Sequence, residues 1–220
     1  MTDMGAFREA VTAWAAGGPG DLARELAARV PVRTVVLLEG PSDRAAVEAL
    51  ARSRGRDLEA EGVCVLAMNG AMSVGRFARV LGPDGLGLRL TGLCDEAERG
   101  YYSRALEQDS PEPRTALRRT PDRARARDHA FFVCAADLED ELIRALGVSR
   151  VEELVREEGD LRALRTFQRQ PAQHGRSPQR QLRRFLGTKK GRKIHYGRVL
   201  VEALTPGQVP APLEDLLTAL

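Results

Sequence analysis

The sequence predicts an α/β protein built on a parallel sheet, and three features of its hydrophobic pattern lead to this class. Four short segments rich in aliphatic or aromatic residues, at 33–39, 62–68, 86–94 and 131–134, are typical of strands buried on both faces. Gly, Pro, Asn or Asp residues follow the first three and end the strands. Segments with helical spacing lie between them. Strands that alternate with helices pair in parallel through right-handed crossovers, so we expect one sheet flanked by helices.

Each predicted helix repeats its apolar residues every three or four positions. In the helix that follows the first strand, Ala46, Val47 and Leu50 fall on one face, as an amphipathic helix requires. The same spacing predicts helices at 6–16, 21–29, 42–53, 73–81, 95–106, 137–146, 151–158, 161–168, 179–186, 189–204 and 212–219.

The order of these elements predicts three regions. Residues 1–30 form N-terminal helices, residues 31–148 form the α/β domain, and residues 149–220 form a basic, helical C-terminal part. Within the α/β domain, residues 108–129 are rich in Pro and Arg, which predicts an irregular insertion.

Composition is typical of a globular protein. Of the 220 residues, 43% are hydrophobic and 30% are charged, which is too apolar for a disordered chain. No apolar run approaches the ~20 residues of a membrane span, and the N-terminus lacks the pattern of a secretory signal. We therefore expect a cytoplasmic protein with no membrane partner.

The chain has three cysteines, Cys64, Cys94 and Cys134, and none of them forms a Cys-x-x-Cys pair with another. We therefore expect buried free thiols and no zinc site.

Positive and negative charges are segregated along the chain, although the net charge is only +3. Residues 161–198, here called the acid-free segment, contain twelve Lys or Arg and no Asp or Glu. Residues 137–160 contain nine acids and three bases. A basic stretch of this length is the usual footprint of a polyanion partner. A solvated helical face that balances the preceding acids is the alternative.

Several acids follow the predicted strands. Glu39 ends the first strand, Asp95 ends the third, and Asp137 follows the fourth. Ligands bind at the carboxyl ends of the strands in an open parallel sheet. Carboxylates gathered at that edge offer the oxygen ligands that Mg²⁺ or Mn²⁺ prefers, whereas zinc favours His or Cys. The pattern therefore indicates a metal site.

Helix capping accounts for some of the same acids without any metal. Acids in a first turn stabilise a helix through its macrodipole, and Asp95-x-x-Glu98 has the spacing of a capping box. Asp137 precedes a predicted helix in the same way. Glu39 fits this interpretation less well, because it lies inside the apolar strand, two residues before Pro41. Spacing alone leaves both interpretations open.

Ordered motifs in the chain resemble the Toprim domain, which topoisomerases, bacterial primases and overcoming-lysogenisation-defect (OLD) nucleases share. They are Val36-Leu-Leu-Glu39-Gly40-x-x-Asp43, Asn69-Gly70 and Gly92-Leu-Cys-Asp95-x-x-Glu98. Two later stretches, Asp137-Leu-Glu139-Asp140-Glu141-Leu142 and Lys193-x-x-Tyr196-x-x-x-Leu200, resemble the OLD branch. The resemblance spans about residues 33–200.

The resemblance implies a Toprim-like, Rossmann-like sheet, Mg²⁺ or Mn²⁺ as cofactor, with two ions, and specific site residues. The implied metal ligands are Glu39, Asp43, Asp95, Glu98 and Glu139. The implied catalytic residues are Glu39 and Lys193.

The chain departs from the family pattern in two respects. The usual Asp-x-Asp would place an acid at position 97, where this chain has Ala97, so Glu96 or Glu98 must supply the second ligand. OLD nucleases also carry an ATPase before the Toprim part, and this sequence has no GxxxxGK[ST] motif. Either a separately encoded ATPase is a partner, or the domain works alone.

The sequence thus predicts a Mg²⁺-dependent nuclease that hydrolyses DNA phosphodiester bonds with two metal ions. The DNA backbone would contact the acid-free segment through Arg180, Arg183, Arg184, Lys189, Lys190 and Arg192. A non-catalytic DNA-binding or regulatory partner of an ATPase is one alternative, which Ala97 favours. A nucleotidyltransferase of the primase type is another, although no template-binding zinc module is evident. A homodimer is also compatible with the sequence.

Overall fold

The protein is an α/β structure with a parallel sheet at its centre. The computed structural model describes residues 3–107, 117–118 and 131–220. The strands in these ranges are β1 (Thr34–Leu38), β2 (Val63–Ala67), β3 (Arg89–Asp95), β4 (Leu117–Arg118) and β5 (Phe131–Cys134). Every pairing between them is parallel, and their order across the sheet is β2-β1-β3-β5-β4. The predicted fold class and the four predicted strands are confirmed.

The two-residue strand β4 was not predicted. Leu117 and Arg118 lie in the segment expected to be irregular, and they pair with Phe131 and Phe132 at the edge of the sheet. A strand of two residues is too short to show any hydrophobic periodicity. The rest of the predicted insertion, residues 108–116 and 119–129, lies outside the described residues.

Each predicted helix is present in the described ranges, with ends that differ by a few residues. They are α1 (Asp3–Ala15), α2 (Asp21–Arg29), α3 (Pro41–Ser53), α4 (Val74–Leu81), α5 (Arg99–Glu107), α6 (Leu138–Leu146), α7 (Val148–Glu157), α8 (Leu161–Gln168), α9 (Pro178–Leu186), α10 (Lys190–Glu202) and α11 (Ala211–Ala219). No helix of the described residues is long and apolar enough to cross a membrane.

Two hydrophobic clusters cover the two faces of the sheet. On β1, Val35 and Leu37 belong to the cluster formed with α1, α2, α4 and α5, while Val36 and Leu38 belong to the cluster formed with α3 and the C-terminal helices. Because both faces of the sheet are buried, β1 has apolar residues at successive positions instead of alternating polar and apolar ones. The predicted burial of the free thiols is also confirmed for all three cysteines.

A close approach between β1 and β3 sets the geometry of the carboxyl edge. Gly92 pairs with Leu37 across these strands, and a Cβ atom at Gly92 would lie only 1.9 Å from the Leu37 carbonyl oxygen. Only glycine fits at this position. The two strands therefore end side by side, with Glu39 and Asp95 at their carboxyl ends.

Candidate metal centre and cationic cleft

Three carboxylates meet at the carboxyl edge of the sheet. Glu39 follows β1, Asp95 ends β3 and Glu98 follows one turn later, and each is half-buried. One oxygen from each of these side chains lies within 4.8 Å of the others. Among the described residues, this group is the candidate for holding a metal ion, and we call it the acidic triad.

The backbone around Glu39 is fixed by the end of β2. The Asn69-Gly70 motif forms a tight turn there, with Gly70 at a φ of 124°, which favours glycine. The Gly70 N–H donates a hydrogen bond of 3.0 Å to the Glu39 carbonyl oxygen. The turn thus holds Glu39 in place while its side chain faces Asp95 and Glu98.

A short 3₁₀ turn explains why Glu98 joins the triad. Residues Glu96–Glu98 form this turn, with Asp95 at its start. Asp95, in extended backbone at the end of β3, and Glu98, the last residue of the turn, each bring one carboxylate oxygen to the triad. Ala97 faces elsewhere, and Glu96 lies 3.7 Å from Arg99 in an ion pair. Of the two candidates for the second ligand, the structure brings Glu98 to the triad.

Helix capping accounts for Asp137 but not for Asp95. Asp137 Oδ1 accepts a 2.8 Å hydrogen bond from the Asp140 N–H at the start of α6. Asp43 likewise accepts one of 2.8 Å from the Gly40 N–H at the start of α3. Asp95 stands at the start of its 3₁₀ turn and accepts no such bond. Its carboxylate remains available to a cation.

The electrostatics of the acidic triad favour a bound cation. Burial and then the charge of Glu39 raise the pKa of Asp95 to about 8. The same two causes raise the pKa of Glu98. In addition, Glu98 Oε2 is buried and has no hydrogen-bond partner among the described residues. A buried unpaired carboxylate oxygen is costly, and a divalent cation would relieve both the repulsion and the missing contact.

Asp43 and Glu139, the other two predicted ligands, lie beside Lys193. The Lys193 Nζ atom is 3.3 Å from Glu139 Oε1. Burial raises the pKa of Glu139 to about 7, against the opposing effect of Lys193. Burial likewise raises the pKa of Asp43, while Lys193 acts to lower it. Lys193 is therefore a charge partner that the two buried acids share.

The position of Lys193 follows from the packing of α10. Tyr196 and Leu200, on the same side of this helix, are 1% and 0% exposed and pack in the core. Lys193 itself keeps 39% of its side chain exposed. Burial acts to lower its pKa, but Glu139 and Asp43 outweigh that effect and raise it. The ammonium group thus stays charged at the border between the acids and solvent.

A cleft of about 550 Å³ opens next to Lys193, and we call it the cationic cleft. Most of its lining side chains carry positive charge. The lining residues are Asp137, Glu139, Arg176, Arg180, Arg183, Arg184, Gly187 and Lys193. Glu139 and Lys193 line this cleft, and the charge of Lys193 acts to lower the pKa of Asp43 and of Glu98 at the sheet edge.

The predicted DNA-contacting residues have different environments. Arg180, Arg183 and Arg184 line the cationic cleft, and Arg183 also pairs with Asp137 at 2.6 Å. Lys189 is exposed, whereas the side chain of Lys190 lies outside the described part of the chain.

Arg192 makes internal contacts instead of facing the cleft. Its Nε atom donates to Asp160 Oδ2 at 3.2 Å, and its guanidinium lies over the Phe185 ring at 4.1 Å. Conversely, Arg176 lines the cleft and was not singled out from the sequence. Its presence in the acid-free segment was the only available signal.

The comparisons with known proteins agree with this architecture. Residues 32–96 match the family model described as the overcoming lysogenization defect protein-like TOPRIM domain. This range includes Glu39, Asp43 and Asp95, while Glu98, Glu139 and Lys193 follow it. No curated protein matches the chain by sequence.

Solved structures extend the similarity to most of the chain. The C-terminal region of the OLD protein from Xanthomonas campestris pv. campestris is similar with a TM-score of 0.61 and 22% identity, over 86% of this chain and 91% of that one. The corresponding region from Burkholderia pseudomallei gives a TM-score of 0.60 and 21% identity, over 85% and 96%. At this identity the matches establish the fold. The resemblance first seen in the motifs is confirmed: the chain contains an OLD-like Toprim domain at residues 32–96, within the fold of OLD C-terminal regions.

Proposed function

We propose that the protein is a Mg²⁺-dependent nuclease that hydrolyses DNA phosphodiester bonds. The observation that carries this proposal is the acidic triad at the sheet edge, with Lys193 and the cationic cleft beside it. The OLD-like Toprim domain supports a metal-dependent nuclease type of function. The two features together provide a place for a cation and a place for a polyanion.

Glu39, Asp95 and Glu98 would hold the metal. The group that the described residues form consists of three carboxylates, and such oxygen ligands suit a hard cation such as Mg²⁺ or Mn²⁺. In a two-metal site, one ion would activate water and the other would stabilise the leaving oxygen of the phosphodiester. Glu39, which directly follows β1, would be a ligand close to the attacking water.

The proposal also includes a second metal ion, as a two-metal mechanism requires. Asp43 and Glu139 are the remaining predicted ligands, and both are buried beside the shared Lys193. Titration of metal-free protein with Mn²⁺, followed by calorimetry, counts the ions directly. Two ions per chain support the two-metal mechanism, and one ion limits the site to the acidic triad.

Lys193 would act on the phosphate. Its charged ammonium group lies where the cationic cleft meets the acids. Negative charge develops on the phosphoryl oxygens in the transition state, and a fixed cation at that place lowers the barrier. Because Glu139 orients the ammonium group, the lysine needs little reorganisation during the reaction.

The cationic cleft would hold the DNA backbone. Arg176, Arg180 and Arg184 present guanidinium groups that match phosphate oxygens and read no bases. Arg183 would stabilise the cleft instead, because it donates a hydrogen bond to Asp137, another residue of the lining. Arg192 is not included in this interface because its guanidinium group donates hydrogen bonds to the Asp160 carboxylate. A separately encoded ATPase partner and a homodimer remain predictions.

A non-catalytic DNA-binding role is the second candidate, and Ala97 is the observation that favours it. The chain lacks the acid that the family pattern expects at this position. Glu98 nonetheless brings a third carboxylate to the triad through the 3₁₀ turn. The two candidates differ in one respect, since only the nuclease cleaves DNA in the presence of the metal.

A plasmid assay tests the proposal. Purified protein is incubated with supercoiled plasmid and Mg²⁺ or Mn²⁺, beside Glu39→Ala and the control Glu25→Ala. Glu25 is exposed on α2 and pairs only with Arg29 among the described residues. We expect nicking or linearisation by the wild type and by Glu25→Ala, and none by Glu39→Ala or in EDTA. Binding without cleavage under every metal condition would favour the non-catalytic role.

A further inference from the structure

Tyr102 lies on α5, four residues after Glu98 of the acidic triad, and carries a buried hydroxyl group. The side chain is completely buried, on α5, with its ring 5.1 Å from the ring of Phe131. Its hydroxyl oxygen has no hydrogen-bond partner among the described residues. A phenylalanine would fill the same space without an unpaired polar atom, so packing alone gives no reason for the hydroxyl.

The position of Tyr102 relative to Glu98 suggests what the hydroxyl does. Tyr102 follows Glu98 by four residues, at the start of α5, and side chains at this spacing are neighbours on a helix. Glu98 Oε2 is also buried and also lacks a hydrogen-bond partner in the described ranges. One atom is a donor and the other is an acceptor, and both belong to the same region of the site.

The surroundings keep the phenol protonated. Burial raises the pKa of Tyr102, and Cys94, Glu98 and Glu39 act in the same direction. The hydroxyl is therefore a permanent donor. Buried polar atoms that do not meet directly are commonly joined by an ordered water molecule.

We propose that Tyr102 is a positioning residue of the metal centre, whose hydroxyl holds Glu98 in its ligating orientation through one buried water molecule. Partners of this kind fix the orientation of a ligand, and their loss typically lowers metal affinity by 10- to 100-fold. The inference rests on the proposed function, because it assumes that Glu98 binds the metal.

The substitution Tyr102→Phe removes only the hydroxyl, and Tyr101→Phe is the matched control. Tyr101 is the next residue on the same helix, but it is 41% exposed and its ring lies under Arg104. Mn²⁺ affinity is measured by calorimetry, and thermal unfolding is followed without metal. We expect Tyr102→Phe to weaken Mn²⁺ binding about tenfold, with a metal-free melting temperature equal to or above that of the wild type. Tyr101→Phe should change neither quantity.

A double variant separates positioning from a general structural effect. If Tyr102 acts through Glu98, Tyr102→Phe has no further effect on Mn²⁺ affinity in a Glu98→Ala background. An equal loss in both backgrounds would overturn the inference, as would unchanged affinity in Tyr102→Phe when the wild type binds Mn²⁺. A wild type that binds no Mn²⁺ would instead overturn the proposed function, and this inference with it.

Discussion

Gly197 of α10 lies against the backbone of Ser42 at the start of α3. A Cβ atom at Gly197 would be only 2.7 Å from the Ser42 carbonyl oxygen, so a larger residue forces the helices apart. Ser42 adjoins Asp43, and Lys193 lies one helical turn before Gly197. The contact therefore sets the distance at which the ammonium group of Lys193 faces the buried acids.

Gly197→Ala should displace α10 and with it Lys193. We expect a loss of about 1–3 kcal/mol in the free energy of unfolding, as overpacking typically causes, and a larger effect on cleavage than on DNA binding. Gly191→Ala is the control, because nothing lies within 4 Å of a Cβ atom there. Chemical denaturation and plasmid cleavage measure the two effects. Equal behaviour of both variants would contradict the role assigned to the Gly197 contact.

Lys193→Ala should separate cleavage from binding. A group that acts on transition-state charge affects the rate by about 10²-fold or more, while it contributes little to ground-state binding. Lys189, exposed near the start of the same helix, provides the control, and Lys189→Ala should weaken DNA binding modestly at most and leave the cleavage rate under saturating DNA unchanged. Cleavage rates under saturating DNA and binding in EDTA are compared. Similar, modest losses of binding in both variants, with cleavage following binding, would remove Lys193 from the catalytic assignment.

The cationic cleft should account for more of the DNA affinity than the rest of the acid-free segment. Arg184 lines the cleft, whereas Arg162 is exposed on α8 outside it. Arg184→Ala should weaken binding at all sequences and reduce the slope of log affinity against log salt by about 1. Arg162→Ala should leave both unchanged. Fluorescence anisotropy over a salt series distinguishes them, and indistinguishable slopes would contradict a localised interface.

The raised pKa values predict that the metal-free protein loses stability as the pH rises. Asp95 has a pKa of about 8 in the folded protein against an ordinary value of 3.8. The folded state therefore holds more protons than the unfolded chain between these limits, and its stability falls as they leave. We expect the melting temperature to decrease from about pH 5 to about pH 8.

Metal should reverse this trend, because a cation replaces the lost protons. Added Mg²⁺ should raise the melting temperature more at about pH 8 than at about pH 5. Asp95→Asn should flatten the pH dependence without metal and reduce the response to Mg²⁺. A metal-free melting temperature that rises over this pH range would contradict the assigned electrostatics.

The strands could be predicted from the sequence because buried parallel strands have unbroken apolar patterns, and Glu39 and Asp95 became candidates because ligands bind at the carboxyl ends of such strands. Lys193 is on helix α10, and only the resemblance to OLD nucleases made it a candidate. The resemblance implies Glu98 as the second ligand, but the sequence left Glu96 open as the alternative. Only the 3₁₀ turn decides between them, and such short turns have no distinctive sequence periodicity.

The sequence also could not show which residues far apart in the chain form side-chain contacts. Arg192 is predicted to contact DNA from local charge, and its partner Asp160, which lies 32 residues away just before α8, cannot be identified from that pattern. Likewise, the unpaired hydroxyl of Tyr102 is visible only when the surrounding side chains are known. The sequence indicates which residues are basic or aromatic, whereas the hydrogen-bond and ion-pair partners of these side chains depend on how the helices pack.

An anomalous difference map from crystals of the protein soaked in Mn²⁺ would locate the metal directly. We expect a peak bounded by the carboxylates of Glu39, Asp95 and Glu98, which is lost in Glu39→Ala. A map with no peak at this edge of the sheet, or with Mn²⁺ bound only elsewhere, would contradict the assignment of the acidic triad as a metal centre.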